Sequence, residues 1–410
     1  MYKKRLLEKT LLEIIKYNKV VLITGARQVG KSTLLKNLFP ECPHITFDSI
    51  QDSYGVRQDP DLFLKNFKAP LILDEVQFVP ELLSSLKRAV DLNDFSECYY
   101  LTGSQNFSLL KTISESLAGR VACLSLYPMT FLELHGRSTH WLEGYLKRDS
   151  DFYKNLFPVQ ESAPLYETLW RGGMPGLIGR DNEAVPNYFL SYMQTYIERD
   201  IRTMSNIENF QDFNFFVRLL SALTAQKINA AQLGREIGIS NNTATKWKNL
   251  LLGTYLWLEL PPYSKNLIKR VSKKPKGYML DTGLACYLQR LSSPNALAEH
   301  PNRGAMFETY CVNQIYGYLQ SKLHQPMLYH WRSANQAEVD VVLEQDGWLF
   351  PIEIKCKTTI DPYDLRGIKA FKDAYPQEKI YMGVVLYAGD VVRLLTKDIV
   401  AIPWNFLPQN

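Results

Sequence analysis

The most constraining feature of the sequence is a glycine-containing run near the N-terminus. Residues Gly25–Thr33 read GARQVGKST and fit the P-loop pattern, in which two glycines five positions apart are followed by Lys and Ser. An apolar strand pattern, Val20–Thr24, comes directly before the run, and a helix pattern opens at Leu34. A plain glycine turn between strand and helix would not need Lys and Ser in this register. We therefore predict a phosphate-binding loop within a parallel α/β sheet.

Each part of the loop has a chemical reason. The glycines let the backbone curl so that its N–H groups point at phosphate oxygens, and the helix N-terminus adds its dipole. Lys31 is expected to reach the outer phosphates, and Ser32 is expected to hold Mg²⁺. The residues expected to bind ATP are Gly25, Ala26, Arg27, Gln28, Val29, Gly30, Lys31, Ser32, Thr33, Asp74 and Ser104.

An acidic pair supplies what hydrolysis needs beyond binding. The apolar stretch Leu71–Leu73 ends in Asp74 and Glu75, which is the Walker B arrangement. Asp74 is expected to hold Mg²⁺ through its water shell, and Glu75 to polarise the attacking water. Taken alone, a buried strand ending in a solvated acidic pair is an equally good interpretation. The upstream P-loop favours the catalytic one.

Polar residues elsewhere in the first third are candidates for contact with the γ-phosphate. Ser104 or Gln105 follows a strand pattern and can act as a sensor, although a plain polar turn is the alternative. Arg120, in SLAGRV, is a candidate arginine finger because Arg stays charged and binds phosphate with a planar fork. Arg171 is a weaker candidate for the same role. If Arg120 acts in trans, the chain assembles as a homo-oligomer.

Composition sets broad limits. The chain has 410 residues, a net charge of +5 and 46% hydrophobic residues, which fits two or three globular domains. The mild basicity permits nucleic-acid binding without demanding it. The six cysteines are scattered singly, so neither a zinc site nor a disulfide framework is predicted. Free thiols, a charged N-terminal helix and no apolar run of bilayer length predict a cytoplasmic protein without a membrane partner.

The chain is predicted to contain four segments. An α/β core with a parallel sheet covers residues 1–135, a helical lid or linker covers 136–225, a winged helix-turn-helix covers 226–300, and a second α/β unit covers 301–410. The predicted strands of the core are Val20–Thr24, His44–Phe47, Leu71–Leu73, Cys98–Thr102 and Val121–Leu126.

The third segment has a DNA-binding pattern. Ala230–Ile237 and Asn241–Leu250 are predicted to form two short helices, with a turn between them and Ser240 as the N-cap of the second. The basic stretch 265–276 follows and would suit a wing against the DNA backbone. A protein-packing module with a solvated lysine face is an equally good alternative. The residues of the second helix expected to contact DNA are Asn241, Thr243, Lys246 and Lys248.

Acidic residues in the last segment have a nuclease-like spacing. Glu353 and Lys355 lie two apart on one predicted strand and therefore share a face, and a hairpin turn at 346–347 brings the strand of Asp340 beside them. This is the PD-(D/E)xK layout. Asp340 and Glu353 would ligate Mg²⁺, with Glu308 completing the site, and Lys355 would activate water. Two amphipathic strands with solvated acids are the plainer alternative.

Several sequence runs resemble one family across nearly the whole chain. TGARQVGKST, LILDEVQ, LTGSQNF, SLAGRV and YPMTFLEL, and further on WRGGMPG, YIERDI, YMLDTGLACYL and EVDVVLE, resemble bacterial and archaeal AAA-type ATPases that carry a C-terminal domain of unknown function. The resemblance implies an AAA-like core related to archaeal and STAND-type NTPases. The C-terminal unit resembles the restriction-nuclease fold.

Three functions are consistent with these patterns. The first is an ATP-hydrolysing protein that binds DNA and cleaves it at a Mg²⁺-dependent C-terminal site. The second is a STAND-like regulatory switch whose C-terminal domain is a non-catalytic docking surface. The third is a DNA-binding regulator whose ATPase tunes occupancy of the DNA.

Overall fold

The computed structural model describes residues 2–47, 51–52, 54–92, 98–103, 117, 119–160, 162–201, 207, 209–266, 270 and 274–409. Two compact units are distinguished. The first comprises Met1–Pro128, Gly253–Tyr255 and Gln320–Leu323, and the second comprises Met129–Leu252, Leu256–Leu319 and His324–Asn410. All six cysteines are free thiols.

The first unit alternates helices and strands. They are α1 Leu7–Ile14, β1 Val20–Thr24, α2 Lys31–Leu38, β2 His44–Thr46, α3 Pro60–Asn66, β3 Leu71–Asp74, a 3₁₀ turn Val76–Phe78, α4 Leu82–Leu92, β4 Tyr99–Thr102 and β5 Val121–Ser125. Every predicted strand of this unit is confirmed to within one residue at its ends.

The strands of the first unit form one parallel sheet in the order β2-β3-β4-β1-β5. Every residue of β1, β3 and β4 is buried, as expected for a parallel sheet covered on both faces. Strand β4 lies between β1 and β3, and the carboxyl ends of all three meet at one edge of the sheet. This edge carries Gly25 and Asp74, two of the predicted nucleotide-binding residues, and also Thr102, which the sequence analysis did not name.

The second unit is mostly helical before a large C-terminal sheet. Its helices are α5 Phe131–Leu134, α6 Trp141–Leu146, α7 Leu165–Arg171, α8 Ala184–Tyr192, a π-helical segment Met193–Ile201, α9 Phe210–Ala222, α10 Ala230–Ile237, α11 Asn241–Gly253, α12 Thr282–Leu288, α13 Pro294–Glu299, α14 Arg303–Gln320 and α15 Arg366–Ala374, with 3₁₀ turns at Pro175–Leu177 and Pro362–Leu365. Its strands are β6 Leu156–Pro158, β7 Gln226–Lys227, β8 Trp257–Leu260, β9 Lys276–Met279, β10 Met327–Arg332, β11 Glu338–Gln345, β12 Trp348–Lys355, β13 Lys379–Ile380, β14 Gly383–Tyr387, β15 Arg393–Thr396, β16 Ile399–Pro403 and β17 Phe406–Pro408.

Helices α10 and α11 form the predicted pair. Gly238 ends α10 in the left-handed conformation, with φ of 85°. The Ser240 hydroxyl accepts a hydrogen bond from the Thr243 N–H at 3.0 Å and caps α11, as predicted. Helix α11 runs to Gly253, three residues beyond its predicted end. A three-stranded antiparallel sheet, β7-β9-β8, completes this part of the chain.

The C-terminal sheet has seven strands in the order β10-β11-β12-β14-β16-β15, with β13 paired to β12. Strands β11 and β12 form the predicted hairpin, and its turn residues Asp346 and Gly347 both have positive φ. Val341 lies opposite Ile352, which brings Asp340 beside Glu353 on the neighbouring strand. Strands β12, β14 and β16 are parallel. The pairing of the acidic strands is therefore as predicted.

A buried carboxylate explains two of the sequence runs in the second unit. Asp281 accepts hydrogen bonds from Gly173 N–H and Leu284 N–H, both at 2.8 Å, and caps α12. A Cβ on Gly172, whose φ is 70°, would lie 2.5 Å from Asp281. Arg171 donates to Asn182 and to backbone carbonyls of the same loop. These contacts give WRGGMPG and LDTGLA a structural role in joining two segments.

Replacing Asp281 with Ala is expected to lower the free energy of unfolding of the second unit by about 2–3 kcal/mol, because two N–H groups lose a charged acceptor. Asp281→Asn keeps one acceptor oxygen and should lose less. Urea unfolding followed by circular dichroism measures both. Ser293→Ala removes the half-buried cap of α13 and is the matched control, with an expected loss of about 1 kcal/mol. Equal stability of Asp281→Ala and the wild type would contradict this role.

Candidate functional site

The loop between β1 and α2 has the backbone conformation that its glycines predict. Gly25 has φ of 142°, and a Cβ there would lie 2.1 Å from the carbonyl oxygen of Leu126. Gly30 has φ of 95° and is the N-cap of α2. Residues with a side chain do not fit the first position and are strained at the second. The two glycines of the P-loop pattern are therefore required by the backbone.

Lys31 begins α2 and is buried, with 5% of its surface exposed. Its ammonium donates hydrogen bonds to the carbonyl oxygens of Gly25 at 3.0 Å and Ala26 at 2.9 Å. Burial lowers the pKa of Lys31 to about 8, although Glu75 and Asp74 favour the charged form. Burial removes the water that would otherwise stabilise the charged ammonium group. A phosphate anion bound beside it would stabilise the charged form instead.

Asp74 ends β3 and contacts the residue predicted to share its metal ion. Its Oδ1 accepts a hydrogen bond from the Ser32 hydroxyl at 2.7 Å and another from the Thr102 hydroxyl. Its Oδ2 lies 3.5 Å from Nε2 of His44. Hydroxyl and carboxylate oxygens are hard ligands that suit Mg²⁺, so Ser32 and Asp74 fit that ion. Burial lowers the pKa of His44, so this side chain is a neutral neighbour of Asp74 at pH 7.

Glu75 follows Asp74 in a left-handed backbone conformation, with φ of 60°. Its N–H donates to the Thr102 hydroxyl at 3.2 Å, and its carboxylate accepts a hydrogen bond from Gln77. A side chain in this conformation costs on the order of 1 kcal/mol, and such strain is typical of functional positions. The sequence predicts Glu75 as a site residue, but it does not reveal Thr102, which the position of β4 brings to the site.

The N-terminal segment braces the loop, which the sequence did not predict. Arg5 is 5% exposed and donates hydrogen bonds to the carbonyl oxygens of Val29 and Tyr127, both at 2.7 Å. Glu8 in turn accepts hydrogen bonds from the backbone N–H of Arg5 and from the Tyr2 hydroxyl. The N-terminal run contains three neighbouring cations, Lys3, Lys4 and Arg5, and the sequence alone does not indicate which of them contacts the loop Gly25–Thr33.

Two predicted γ-phosphate contacts stay predictions. Ser104 and the alternative Gln105 lie outside the described residues. Nε of Arg120 lies 2.5 Å from Oδ1 of Asp91, and both side chains are at least one-third exposed.

The predicted acids of the second unit come together. Glu353 and Lys355 of β12 form an ion pair at 2.5 Å. Asp340 of β11 accepts a hydrogen bond from the N–H of Ile354 at 2.9 Å. Glu308 of α14 and Asp340 lie 2.7 and 2.8 Å from the same ammonium group, that of Lys276. We call Glu308, Glu338, Asp340 and Glu353 the acid cluster.

Lys276 fills the acid cluster, and its predicted place on a DNA-facing strand is wrong. Its ammonium lies 2.7 Å from Glu308, 2.8 Å from Glu338 and 2.8 Å from Asp340, and its side chain is 5% exposed. In the part of the chain that the structure describes, no group of three or more His, Cys, Asp or Glu residues has the geometry of a metal site. The predicted Mg²⁺ set of Glu308, Asp340 and Glu353 therefore does not fit a metal ion in this arrangement.

The electrostatics of the cluster follow from burial. Burial, with Asp340 adding to it, raises the pKa of Glu308 to about 8. Burial and Asp340 also raise the pKa of Glu353 well above its usual range. Burial opposes ionisation of Asp340, but Lys276 and Lys355 outweigh it and lower the pKa of that carboxyl. The pKa of Asp340 is therefore lowered, whereas the pKa values of Glu308 and Glu353 are raised.

The predicted DNA surface is smaller than the sequence indicated. Lys248 forms an ion pair with both carboxylate oxygens of Glu259 at 2.7 Å and is half-buried, so its predicted phosphate contact is corrected. Within 265–276, Lys265 pairs with Glu378 and Arg270 pairs with Glu344. Lys269 and Lys273 lie outside the described residues. The exposed polar residues of α11 are Asn241, Asn242, Lys246 and Asn249, with Thr243 half-exposed beside its cap.

Comparison with known proteins matches three parts of the chain. An AAA domain model matches residues 17–135, a domain of unknown function, DUF8612, matches 163–295, and another, DUF4143, matches 303–407. Among the described residues, no helix has the length and apolar character needed to span a membrane.

Proteins from other organisms are similar in sequence to this chain over 63–94% of its length. An uncharacterized protein of Mycobacterium tuberculosis is 29% identical over 94% of this chain and 80% of its own length. An uncharacterized protein of Methanocaldococcus jannaschii is 26% identical over 63% of this chain and 58% of its own length. A Walker-type ATPase of Pyrococcus abyssi overlays with a TM-score of 0.45 at 15% identity, over 70% of this chain and 96% of that one. Residues 17–135 of this chain thus match an AAA domain, and residues 303–407 match the domain of unknown function DUF4143.

Proposed function

We propose that this chain binds ATP with Mg²⁺ at the loop Gly25–Thr33 and hydrolyses it. The observation that carries the proposal is the contact of Ser32 with Asp74 at 2.7 Å beside the buried ammonium of Lys31. A cation, a hydroxyl and a carboxylate at the start of α2 and the end of β3 are the groups that a nucleotide triphosphate and its metal ion require.

The residues divide the chemistry among them. Lys31 neutralises charge on the outer phosphates, and Ser32 and Asp74 hold the ion, which spreads the charge of the phosphate oxygens when it is bound. Glu75 orients a water molecule for in-line attack on the γ-phosphorus and accepts its proton. Arg120 of a second copy would stabilise the charge that develops on the γ-phosphoryl oxygens.

Phosphate release from ATP tests the proposal directly. The purified chain is expected to release phosphate in the presence of Mg²⁺ and to stop when the ion is chelated. Light scattering at several protein concentrations, with ADP and with an ATP analogue, measures the oligomeric mass. A trans role for Arg120 requires the rate of phosphate release per chain to rise with that mass. No phosphate release above the buffer blank, with nucleotide binding absent as well, would overturn the ATPase function.

We further propose that α10, α11 and the β8–β9 hairpin act as a winged helix-turn-helix that contacts DNA. The first turns of α11 present Asn241, Thr243 and Lys246 at the surface. Amide, hydroxyl and ammonium groups at the start of a second helix suit contact with base edges and phosphates in the major groove. The ion pair of Lys248 removes one phosphate contact from this surface.

Lys246→Ala is expected to weaken binding to duplex DNA several-fold and to reduce the slope of log affinity against log salt by about 1, because one phosphate contact is lost. Fluorescence anisotropy between about 50 and 200 mM salt measures both quantities. Lys147→Ala, an exposed lysine next to α6, is the control and should leave the slope unchanged. Absence of binding by the wild type at the lowest salt would remove the DNA proposal and leave the ATPase proposal intact.

A second candidate function, a STAND-like switch with a non-catalytic C-terminal domain, is favoured by one observation. Lys276 occupies the acid cluster that a metal-dependent nuclease would need open. We therefore derive no cleavage step through Asp340, Glu353 and Lys355 in this arrangement. DNA incubated with Mg²⁺ or Mn²⁺, with and without ATP, should stay equally intact with wild type and with Asp340→Ala. Cleavage that only the wild type performs would exclude the switch with a non-catalytic domain.

A further inference from the structure

We propose that Lys276 is a resident cation that takes the place of a divalent metal ion in the acid cluster, so that the cluster becomes a divalent-cation site once this ammonium group is removed. The proposal concerns the second unit alone and does not depend on nucleotide hydrolysis.

The first support is the geometry around the ammonium nitrogen. Carboxylates from helix α14 and strand β11 converge on it at 2.7–2.8 Å. Oxygens from separate segments that surround one cation are the arrangement by which proteins hold Mg²⁺, Mn²⁺ or Ca²⁺, with the ammonium here at the centre. One lysine on the surface would gain little from three acids, whereas a buried one requires them.

The second support is a carboxylate oxygen without a partner. Glu353 is 4% exposed, and its Oε1 pairs with Lys355. Its Oε2 is buried and has no hydrogen-bond partner among the described residues. Lys276 gives this fourth member of the cluster no direct contact, because its ammonium donates to Glu308, Glu338 and Asp340. A bound ion is one of the recognised reasons for a buried acceptor that has no protein partner.

The third support is that the lysine comes from outside the C-terminal sheet. Lys276 is the first residue of β9, which pairs with β8 and β7 beside the helix pair α10 and α11. Tyr278, two residues on and therefore on the same face of β9, donates its hydroxyl hydrogen to Glu308 at 2.7 Å. One face of a strand in the proposed DNA-binding module is thus matched to the acid cluster by two side chains.

Loss of the ammonium would leave the acid cluster with an excess of negative charge. Removing one partner of a buried ion pair leaves an uncompensated charge, which proteins tolerate poorly. Lys276→Met keeps an unbranched side chain that is one heavy atom shorter and deletes the positive charge, which a divalent cation can then supply. The variant should therefore depend on metal for stability in a way that the wild type does not.

The experiment titrates Mn²⁺ into the 410-residue chain, purified without nucleotide, and measures free Mn²⁺ by electron paramagnetic resonance. Lys276→Met is expected to bind a Mn²⁺ ion at least about tenfold more tightly than the wild type does, and its melting temperature should rise with Mn²⁺. Adding Asp340→Asn to the same chain should abolish both effects. Lys274→Met, an exposed lysine two residues earlier, is the matched control and should behave as wild type. Lys276→Gln, a polar and uncharged alternative, guards against a folding defect specific to Met.

Mn²⁺ binding or Mn²⁺-dependent stabilisation that appears with Lys276→Met or Lys276→Gln and disappears with Asp340→Asn supports the proposal. If neither variant gains a Mn²⁺ site or is stabilised by the ion, including by refolding in its presence, the proposal is wrong. An equally tight, Asp340-dependent site in the wild type would also overturn it, because Lys276 would then block nothing. Phosphate release at the P-loop, measured in parallel, reports on the ATPase proposal separately.

Discussion

Lys31→Ala is expected to weaken ATP binding by at least about 100-fold and to abolish phosphate release. The ammonium is buried, and its hydrogen bonds go to the carbonyl oxygens of Gly25 and Ala26. Phosphate oxygens would replace those neutral acceptors with charged ones, and a charge-assisted bond is roughly twice as strong as a neutral one. Ala supplies neither the charge nor the reach.

Titration of a fluorescent ATP analogue measures the loss of affinity. Lys36→Ala is the matched control, since Lys36 lies on the same helix α2 but is exposed. The control should bind within about twofold of the wild type, because an exposed charge contributes little. If Lys31→Ala bound the analogue as tightly as Lys36→Ala does, the nucleotide would have to sit elsewhere in the chain.

The nucleotide loop was predictable because its signals are local. Strand, glycines, lysine and helix are contiguous, so register alone places Gly25, Gly30 and Lys31. Asp74 was predictable because an apolar strand ending in acids has few other uses once a P-loop is present. Thr102 and His44 were not, because only the strand order β2-β3-β4-β1 brings them beside Asp74.

The acid cluster shows that local sequence patterns predict which strand residues share a face but do not predict ion pairs between distant residues. The two-residue period of a strand predicted that Asp340, Glu353 and Lys355 would meet, and they do. Lysines 248 and 276 looked alike in the sequence as members of a basic surface. Their partners lie 11 and 64 residues away, at Glu259 and Asp340, and no local pattern announces a pairing at that distance. A charge is visible in a sequence, but its counter-charge depends on the fold.

The two sites differ in whether their charges are already paired. At the nucleotide loop, the cation Lys31 lacks a carboxylate among its hydrogen-bond acceptors, so it can still gain an anionic partner. At the acid cluster, Lys276 already has three carboxylates. A cation that has no carboxylate partner can bind an anionic ligand without breaking an existing ion pair. A cation that already forms ion pairs must first lose one of its carboxylate partners. The loop Gly25–Thr33 can therefore accept an anionic ligand without first breaking an ion pair of Lys31.

Glu75→Gln is expected to leave ATP bound and to slow its hydrolysis by about 10²–10⁴-fold, the usual contribution of a general base. Gln has nearly the same shape, so the backbone strain at φ of 60° and the hydrogen bond from Glu75 N–H to Thr102 are retained. Lys31, Ser32 and Asp74 are unchanged, so binding should stay within about threefold of the wild type. The amide cannot accept the proton of the attacking water, and the bound nucleotide should accumulate as ATP.

Single-turnover kinetics measure the slowing, and chromatography of the nucleotide released from the denatured complex shows whether it is ATP or ADP. Glu81→Gln changes an exposed glutamate on the same stretch of chain and should hydrolyse ATP normally. Loss of binding in Glu75→Gln would assign Glu75 to holding the nucleotide. Turnover close to that of Glu81→Gln would mean that a group other than the Glu75 carboxylate accepts the proton of the attacking water.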